Sequence, residues 1–394
     1  MEAGCATSHF SKRALVVTFG HLLGTLDHYR VVALGHTLRL PCGRQLFRNR
    51  AQRLFALFLL AVGVYLPLAL FLPLWVLAIG PLLWGIPHIF ASIRYLGHAT
   101  TPHPSERRKA VYFVAFVWFG ISALRILGDM RIYSFHGLGD TALTPEILSL
   151  LITLTGLAII LRRNISTFLI STLLLSPLVW MMWTLPLECM GVLLLAHNWI
   201  AFYYWIQSAR TSAELKTAVA SLLIFAVIHG AVFMGLFDGL YAILAPEINL
   251  PWAGLNALEL GQSIAPWSNH EGLFFHGTVL YAFGQATHYF VWLKAIPEQY
   301  LVLQTPASFT RSWRLLQHDF GRTFAGLALG VCMVAAIGFT IGAVWSLANY
   351  TLARDFYFAL AAGHGYFEIA ALPLSMKLSG WRLANLIGSN QGRA

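Results

Sequence analysis

Charge is what this chain has least of. Only 11% of its 394 residues are Asp, Glu, Lys or Arg, less than half the roughly 25% of a soluble domain. So few charges cannot build a polar shell, which excludes a water-soluble globule. Cysteine is scarce as well. Cys5, Cys42, Cys189 and Cys332 are scattered, with no CxxC and no CxxCH. That excludes a disulfide framework, a zinc ribbon and covalent haem attachment. Acidic residues number 16 against 26 basic ones, for a net charge of +10. The basic excess does not mark a nucleic-acid partner, because the basic residues fall in short loops between apolar runs. No low-complexity tract or internal repeat stands out, which argues against an inverted-repeat transporter. The first apolar run, 14–19, is short and is followed by His21, Asp27 and His28, unlike a secretory signal.

What the chain has instead is hydrocarbon. Apolar residues make up 58%, and runs of about 20 recur along the whole length. The expected fold is all-α, a polytopic transmembrane helical bundle. Ten spans are expected at 53–71, 74–97, 110–127, 144–161, 165–183, 186–207, 213–237, 272–295, 322–346 and 355–377. The domains are then a basic cytoplasmic segment, 1–52, a single bundle, 53–377, and a cytoplasmic tail, 378–394. With both termini cytoplasmic, about 23 of the 26 basic residues lie inside, and only Arg125, Arg131 and Arg354 lie outside. Lys/Arg bias sets orientation, and in a bacterial host this places the chain in the inner membrane. Within 1–52, the residues Leu15, Phe19, Leu22, Leu26 and Tyr29 share a helical stripe beside Lys12, Arg13 and Arg30. That pattern suggests an interfacial amphipathic helix, with His21 and His28 solvated on its polar side.

Two outer connections are long. Residues 238–271 carry Asp238, Glu247, Glu259 and Glu271 with no Lys or Arg, and read as a re-entrant segment or an exposed loop. The ninth span carries Gly326, Gly330, Gly338 and Gly342. Small residues at this spacing let helices approach closely, so it reads as a packing helix.

The chemistry is concentrated in histidine. The second span places Pro87 and His88 near its middle. Pro87 cannot donate a hydrogen bond and frees a carbonyl one turn back. An imidazole there needs a partner, since an unsatisfied polar group in hydrocarbon costs on the order of 2–7 kcal/mol. Counting from the outer end of each span at about 1.5 Å per residue, His88 is about 14 residues deep, His197 about 11, His288 about 17, His364 about 10 and Glu368 about 14. Four different spans therefore deliver polar groups to one layer roughly 10 Å thick. His229 and His276 lie nearer the outer face and His98 at the inner face.

Three or four histidines and a carboxylate at one depth suit a non-haem metal: iron(II) first, copper second. The expected ligands are His88, His197, His288 and His364, with His276 as an additional candidate. His364 and Glu368 are four apart and share a helix face. Glu368 is expected to ligate, to support a ligand imidazole or to act in catalysis. Tyr95, Asn198, Tyr281 and Gln285 are pocket candidates. Two alternatives use the same residue types: interhelical hydrogen bonding, and a proton pathway in a transporter or channel. Bis-histidine haem is a third, but only one span carries two histidines near the required spacing, His276 and His288.

Gly85-Ile-Pro-His88 resembles the Gly-Leu-Pro-His segment of the bacterial and archaeal membrane-integral β-carotene cleavage dioxygenases. His197, the stretch Ala-Phe-Gly-Gln-Ala-Thr-His288-Tyr-Phe-Val-Trp, and His364 are similar to later histidine segments of that family, in similar order. The likeness covers about a sixth of the chain. Two departures stand in it: Ile-Phe-Ala-Ser follows His88 where the family has Gly-Ala-Leu-Asp, and Gly284 stands where the family has the first residue of His-x-x-x-His. A shorter stretch, His364-Gly-Tyr-Phe-Glu368, is similar to part of the sporulation membrane protein M family and implies no reaction. The first resemblance implies histidine-held ferrous iron that turns dioxygen on a lipophilic substrate taken from the bilayer, in a chain whose own substrate differs from carotene.

Overall fold

The computed structural model describes residues 4–41, 43–44, 49–80, 84–100, 103–129, 144–163, 165–240, 271–300, 308–323, 326, 330 and 364–375. Every element among them is helical. In chain order they are α1 (Gly4–Arg39), α2 (Arg50–Phe71), α3 (Pro73–Gly80), α4 (Ile86–Thr100), α5 (Pro104–Asp129), α6 (Thr144–Ile160), α7 (Ile165–Thr184), α8 (Pro186–Ser208), α9 (Ser212–Phe233), α10 (Glu271–Phe290), α11 (Ile296–Tyr300) and α12 (Phe309–Phe320), followed by α13 over 364–375. Most of the expected ninth span, the first nine residues of the tenth, the tail 378–394 and most of the outer segment 238–271 lie outside the described residues.

The apolar runs set the helices and local chemistry sets their ends. Asn49 caps α2 by accepting from Gln52 N–H at 3.3 Å. Pro73 and Pro186 open α3 and α8, where a missing N–H costs nothing. Thr211 accepts from Glu214 N–H, and the Glu214 carboxylate accepts in return from Arg210 N–H at 2.9 Å, a reciprocal cap. Three helices among the described residues, α2, α7 and α9, are long and apolar enough to cross a membrane.

α10 is the hub. Its side chains are buried without interruption from Phe275 through Tyr289, and it packs on α2, α3, α8 and α9. A helix covered on every face is a core helix. Phe58 of α2 meets Phe202 and Trp205 of α8 and Phe290 of α10 at 5.9–6.1 Å. Phe225 of α9 stacks on Phe283 of α10 at 5.7 Å. Near the Arg50 end of α2, charge pairs clip the helices together: Arg50 with Glu214 at 3.3 Å, and Arg53 with Glu298 at 2.8 Å, the latter shared with Lys294. Burial alone would raise the Glu298 carboxyl; Lys294 and Arg53 reverse that and hold it below the usual range.

α12 ties α1 to the bundle. Asp27 of α1 accepts from Phe309 N–H, Thr310 N–H and the Thr310 hydroxyl at 2.6–3.0 Å. At the other end, Asp319 pairs with Arg94 of α4. The expected α1 stripe faces away from the protein: Leu22, Leu26 and Tyr29 are exposed, and Leu23 makes the buried contact. His21 and His28 are exposed.

Burial would raise the Asp27 carboxyl, but the Thr310 and Phe309 donors and Arg30 bring it down to about 2. A depressed carboxylate contributes stability that is complete above its unfolded value near 4 and is lost as pH falls through about 2. Asp27→Ala removes this cap of α12, worth on the order of 1 kcal/mol. Hydrogen exchange at the Phe309 and Thr310 amides should then accelerate about fivefold at neutral pH, with the exchange of α10 unchanged.

Candidate metal centre

Four helices bring five polar side chains to one point inside the bundle. α4 supplies His88. It begins immediately after a π-turn at Trp84 and Gly85, and Pro87 sits in its first turn, where a missing N–H is tolerated. The backbone of Gly85 and Trp84 also interacts with the His88 ring. α8 supplies His197, α10 supplies His288, and α13 supplies His364 and Glu368. A second π-helical segment, Val291–Ala295, follows His288 closely. Single-turn π-segments occur often at functional sites because they re-aim neighbouring side chains. Here one flanks each of two histidines.

The geometry is compact. His88 Nε2 and His364 Nε2 lie 2.9 Å apart. One donor atom from each of His197, His288, His364 and Glu368 falls within 4.8 Å of every other. His288 Nε2 is 3.8 Å from a Glu368 carboxylate oxygen. Around a metal with bonds near 2.1 Å, opposite ligand atoms stand about 4.2 Å apart and adjacent ones about 3 Å. Shifts of a few tenths of an ångström would close the cluster onto one ion. The ring centroids are 4.7 Å (His88–His364), 5.1 Å (His88–His288), 4.2 Å (His197–His288), 5.4 Å (His197–His364) and 6.3 Å (His288–His364) apart. Rings so close leave no slot for the flat macrocycle that two axial histidines would clamp.

Burial decides what the cluster needs. His88, His288 and Glu368 are fully buried and His364 is 4% exposed. Yet His197 Nε2, both ring nitrogens of His288 and both carboxylate oxygens of Glu368 have no hydrogen-bond partner. Each unsatisfied buried polar atom costs about 1–3 kcal/mol. Together they cost on the order of 10 kcal/mol, comparable with the whole 5–15 kcal/mol margin of a folded protein. His88 and His364 bond each other at 2.9 Å and the Ser92 hydroxyl reaches Glu368, but His197 Nε2 and both His288 nitrogens stay unmet, so interhelical hydrogen bonding does not discharge the whole of that cost. A cation does, since imidazole nitrogens and carboxylate oxygens are its donor set. The residues fit a metal.

The other sequence candidates are placed as follows. His276 stands apart from the cluster, three turns along α10. Its Nε2 bonds Asp238 at 2.8 Å, so it does not supply a fifth imidazole. Tyr95 is also elsewhere: its hydroxyl takes a bond from Arg94 at 3.0 Å and its ring lies against Tyr300 and His98. Tyr281 and Gln285 are buried on α10, on the turns preceding His288. Asn198 is buried beside His197 and packs against Gly284. Sequence reasoning missed Tyr289, whose ring is 4.6 Å from that of His88. It missed Trp292, 6.4 Å from His288 and one turn beyond it. It also missed Tyr204, whose hydroxyl donates to the Glu368 carbonyl at 2.9 Å and fixes α13 on α8. Helical spacing from His288 would have found Trp292; no spacing signals Tyr204.

Comparisons with protein-family models, with curated proteins and with solved structures found no match for this chain.

A carboxylate kept here for packing would destabilise on removal, whereas one kept for a ligand strains the ligand-free fold. Glu368→Met removes two unsatisfied oxygens at similar volume. It should raise the stability of metal-free protein by about 1–3 kcal/mol, read from thermal or denaturant unfolding in detergent, and weaken metal binding in the same sample.

Proposed function

We propose that this protein is an integral membrane non-haem metal oxidoreductase that uses dioxygen on a lipophilic substrate. Its bundle has ten spans with both termini cytoplasmic, in a bacterial inner membrane. The observation that carries the reading is the set of converging, unpartnered imidazole and carboxylate atoms at the meeting point of α4, α8, α10 and α13. His88, His197, His288 and His364 hold the ion, with iron(II) preferred and copper second. A redox metal so held supplies the one-electron chemistry that lets dioxygen react with a closed-shell organic molecule.

The chain's own groups have definable parts. Tyr289 and Trp292 pack the ligand rings and exclude water. The Glu368 carboxylate, 3.8 Å from His288 Nε2, sits where it ligates or holds a proton beside the reacting atoms. Trp84 is 40% exposed and Pro87 is exposed, while the adjoining His88 is fully buried. The ligand set therefore lies one residue beneath an exposed apolar surface, which supports access for a substrate dissolved in lipid. The expected resemblance to carotene dioxygenases points the same way.

Protein purified in mild detergent from metal-replete cells should carry about one iron or copper per chain by mass spectrometry, with no Soret band. Both His88→Ala and His364→Ala should lose it. A folded wild-type sample with no stoichiometric metal overturns the reading and makes proton-coupled transport the assay to run.

A further inference from the structure

The metal-centre reading leaves two buried groups beside the cluster unexplained. His288 presents Nε2 toward Glu368. Its Nδ1 is fully buried and has no partner. A metal-bound imidazole carries its proton on the other nitrogen and needs an acceptor there to fix ring orientation and tautomer. The second group is Asn198. Its side chain is fully buried, and its Nδ2 donates to Leu194 C=O at 3.1 Å. That contact fixes the amide orientation, because swapping the two atoms would set oxygen against oxygen. Oδ1 is therefore the atom left over, an acceptor with no donor. One centre lacks an acceptor and its neighbour lacks a donor.

Their placement is built into the sequence. Asn198 stands over Gly284, and a Cβ at that position would meet its Nδ2 at 2.7 Å and its Cγ at 3.3 Å. A larger residue there would have to displace the amide. Gly284 is one turn before His288 on the same face of α10, and side chains on a helix lean toward its N-terminus. The His288 ring thus leans over the turn that Asn198 occupies. It also lies 4.2 Å from the ring of His197, the residue before Asn198. Two unmatched groups on adjoining residues of one packed contact can hold a buried water between them or meet after a rotamer change.

We infer that Asn198 Oδ1 is the acceptor for the His288 Nδ1 proton, directly or through one buried water, and that Gly284 exists to admit it. Asn198 is then a positioning residue for the metal ligand and not a lining residue of a substrate pocket. This rests on the metal-centre reading above. It also gives a physical meaning to Gly284: a side chain at that position is replaced by one from α8.

The test loads the full-length protein in detergent with cobalt(II) and follows the hyperfine-shifted, exchangeable imidazole N–H signals by proton NMR. His288→Ala identifies the relevant signal. Asn198→Leu should lose that signal, or speed its exchange at least tenfold, and weaken cobalt binding by roughly 10–100-fold. Gly284→Ala should do the same by pushing the amide away. The other imidazole N–H signals should persist in both variants, which a general packing defect would not allow. An Asn198→Leu protein with an unchanged His288 signal and unchanged affinity overturns the inference. Wild-type protein that binds no cobalt overturns the metal-centre reading itself, a distinct result.

Discussion

Hydrocarbon offers a buried polar group no partner of last resort. Nearly every feature of this bundle follows from how that constraint is met or left open. Along most of the chain it is met locally: Ser and Thr hydroxyls such as Ser171, Thr172 and Thr287 bond carbonyls three or four residues back, and Arg50 and Arg53 find Glu214 and Glu298. Among the described residues it is left open at scattered hydroxyls, those of Ser122, Ser149, Thr153 and Ser221 among them, and at one place several open atoms meet. His197, His288 and Glu368 present atoms to each other without making bonds, beside a His88–His364 hydrogen bond of 2.9 Å. Open atoms from four helices gathered at one point favour something that binds there.

The rest of the architecture serves that point. α10 packs on α2, α3, α8 and α9, and it carries His288 in its buried last turn. The π-segments beside His88 and His288 depart from regular helix where the ligands must be aimed. The clamp through α12, from Asp27 on α1 to Asp319 and Arg94, ends on α4, the helix that begins with the His88 turn. Burial would raise the Asp319 carboxyl; His98 and Arg94 overcome that and hold it well below the usual range. The α12 contact therefore persists through any ordinary pH, a property suited to a fixed strut.

Much of this was legible in the sequence, and for a simple reason. Depth in a membrane is a count of residues, so counting brought His88, His197, His288, His364 and Glu368 to one layer; the structure groups His197, His288, His364 and Glu368 and sets His88 against His364. The same count put His276 outside that layer. Treating it as a further ligand ignored that Asp238, at the end of the preceding helical segment, would capture it. Tyr95 was misjudged because its register turns it to Arg94 and Tyr300. Other features had no signal in periodicity. Asp27 capping a helix 282 residues later is a tertiary contact. The match of Asn198 to Gly284 needs two helices in contact before either residue has meaning. The α1 stripe was visible as a pattern, and its described members Leu22, Leu26 and Tyr29 are left exposed, as an interfacial helix requires, while Leu23 makes the contact with the bundle that the pattern did not mark.

The central claim is that imidazoles of this bundle hold a metal. X-ray absorption at the metal edge of the purified protein tests it most directly. The account predicts a first shell of nitrogen and oxygen at about 2.0–2.2 Å, with the outer-shell scattering of three or four imidazole rings. A sulfur shell, a porphyrin pattern, or a hydrated ion with no imidazole scattering would contradict it.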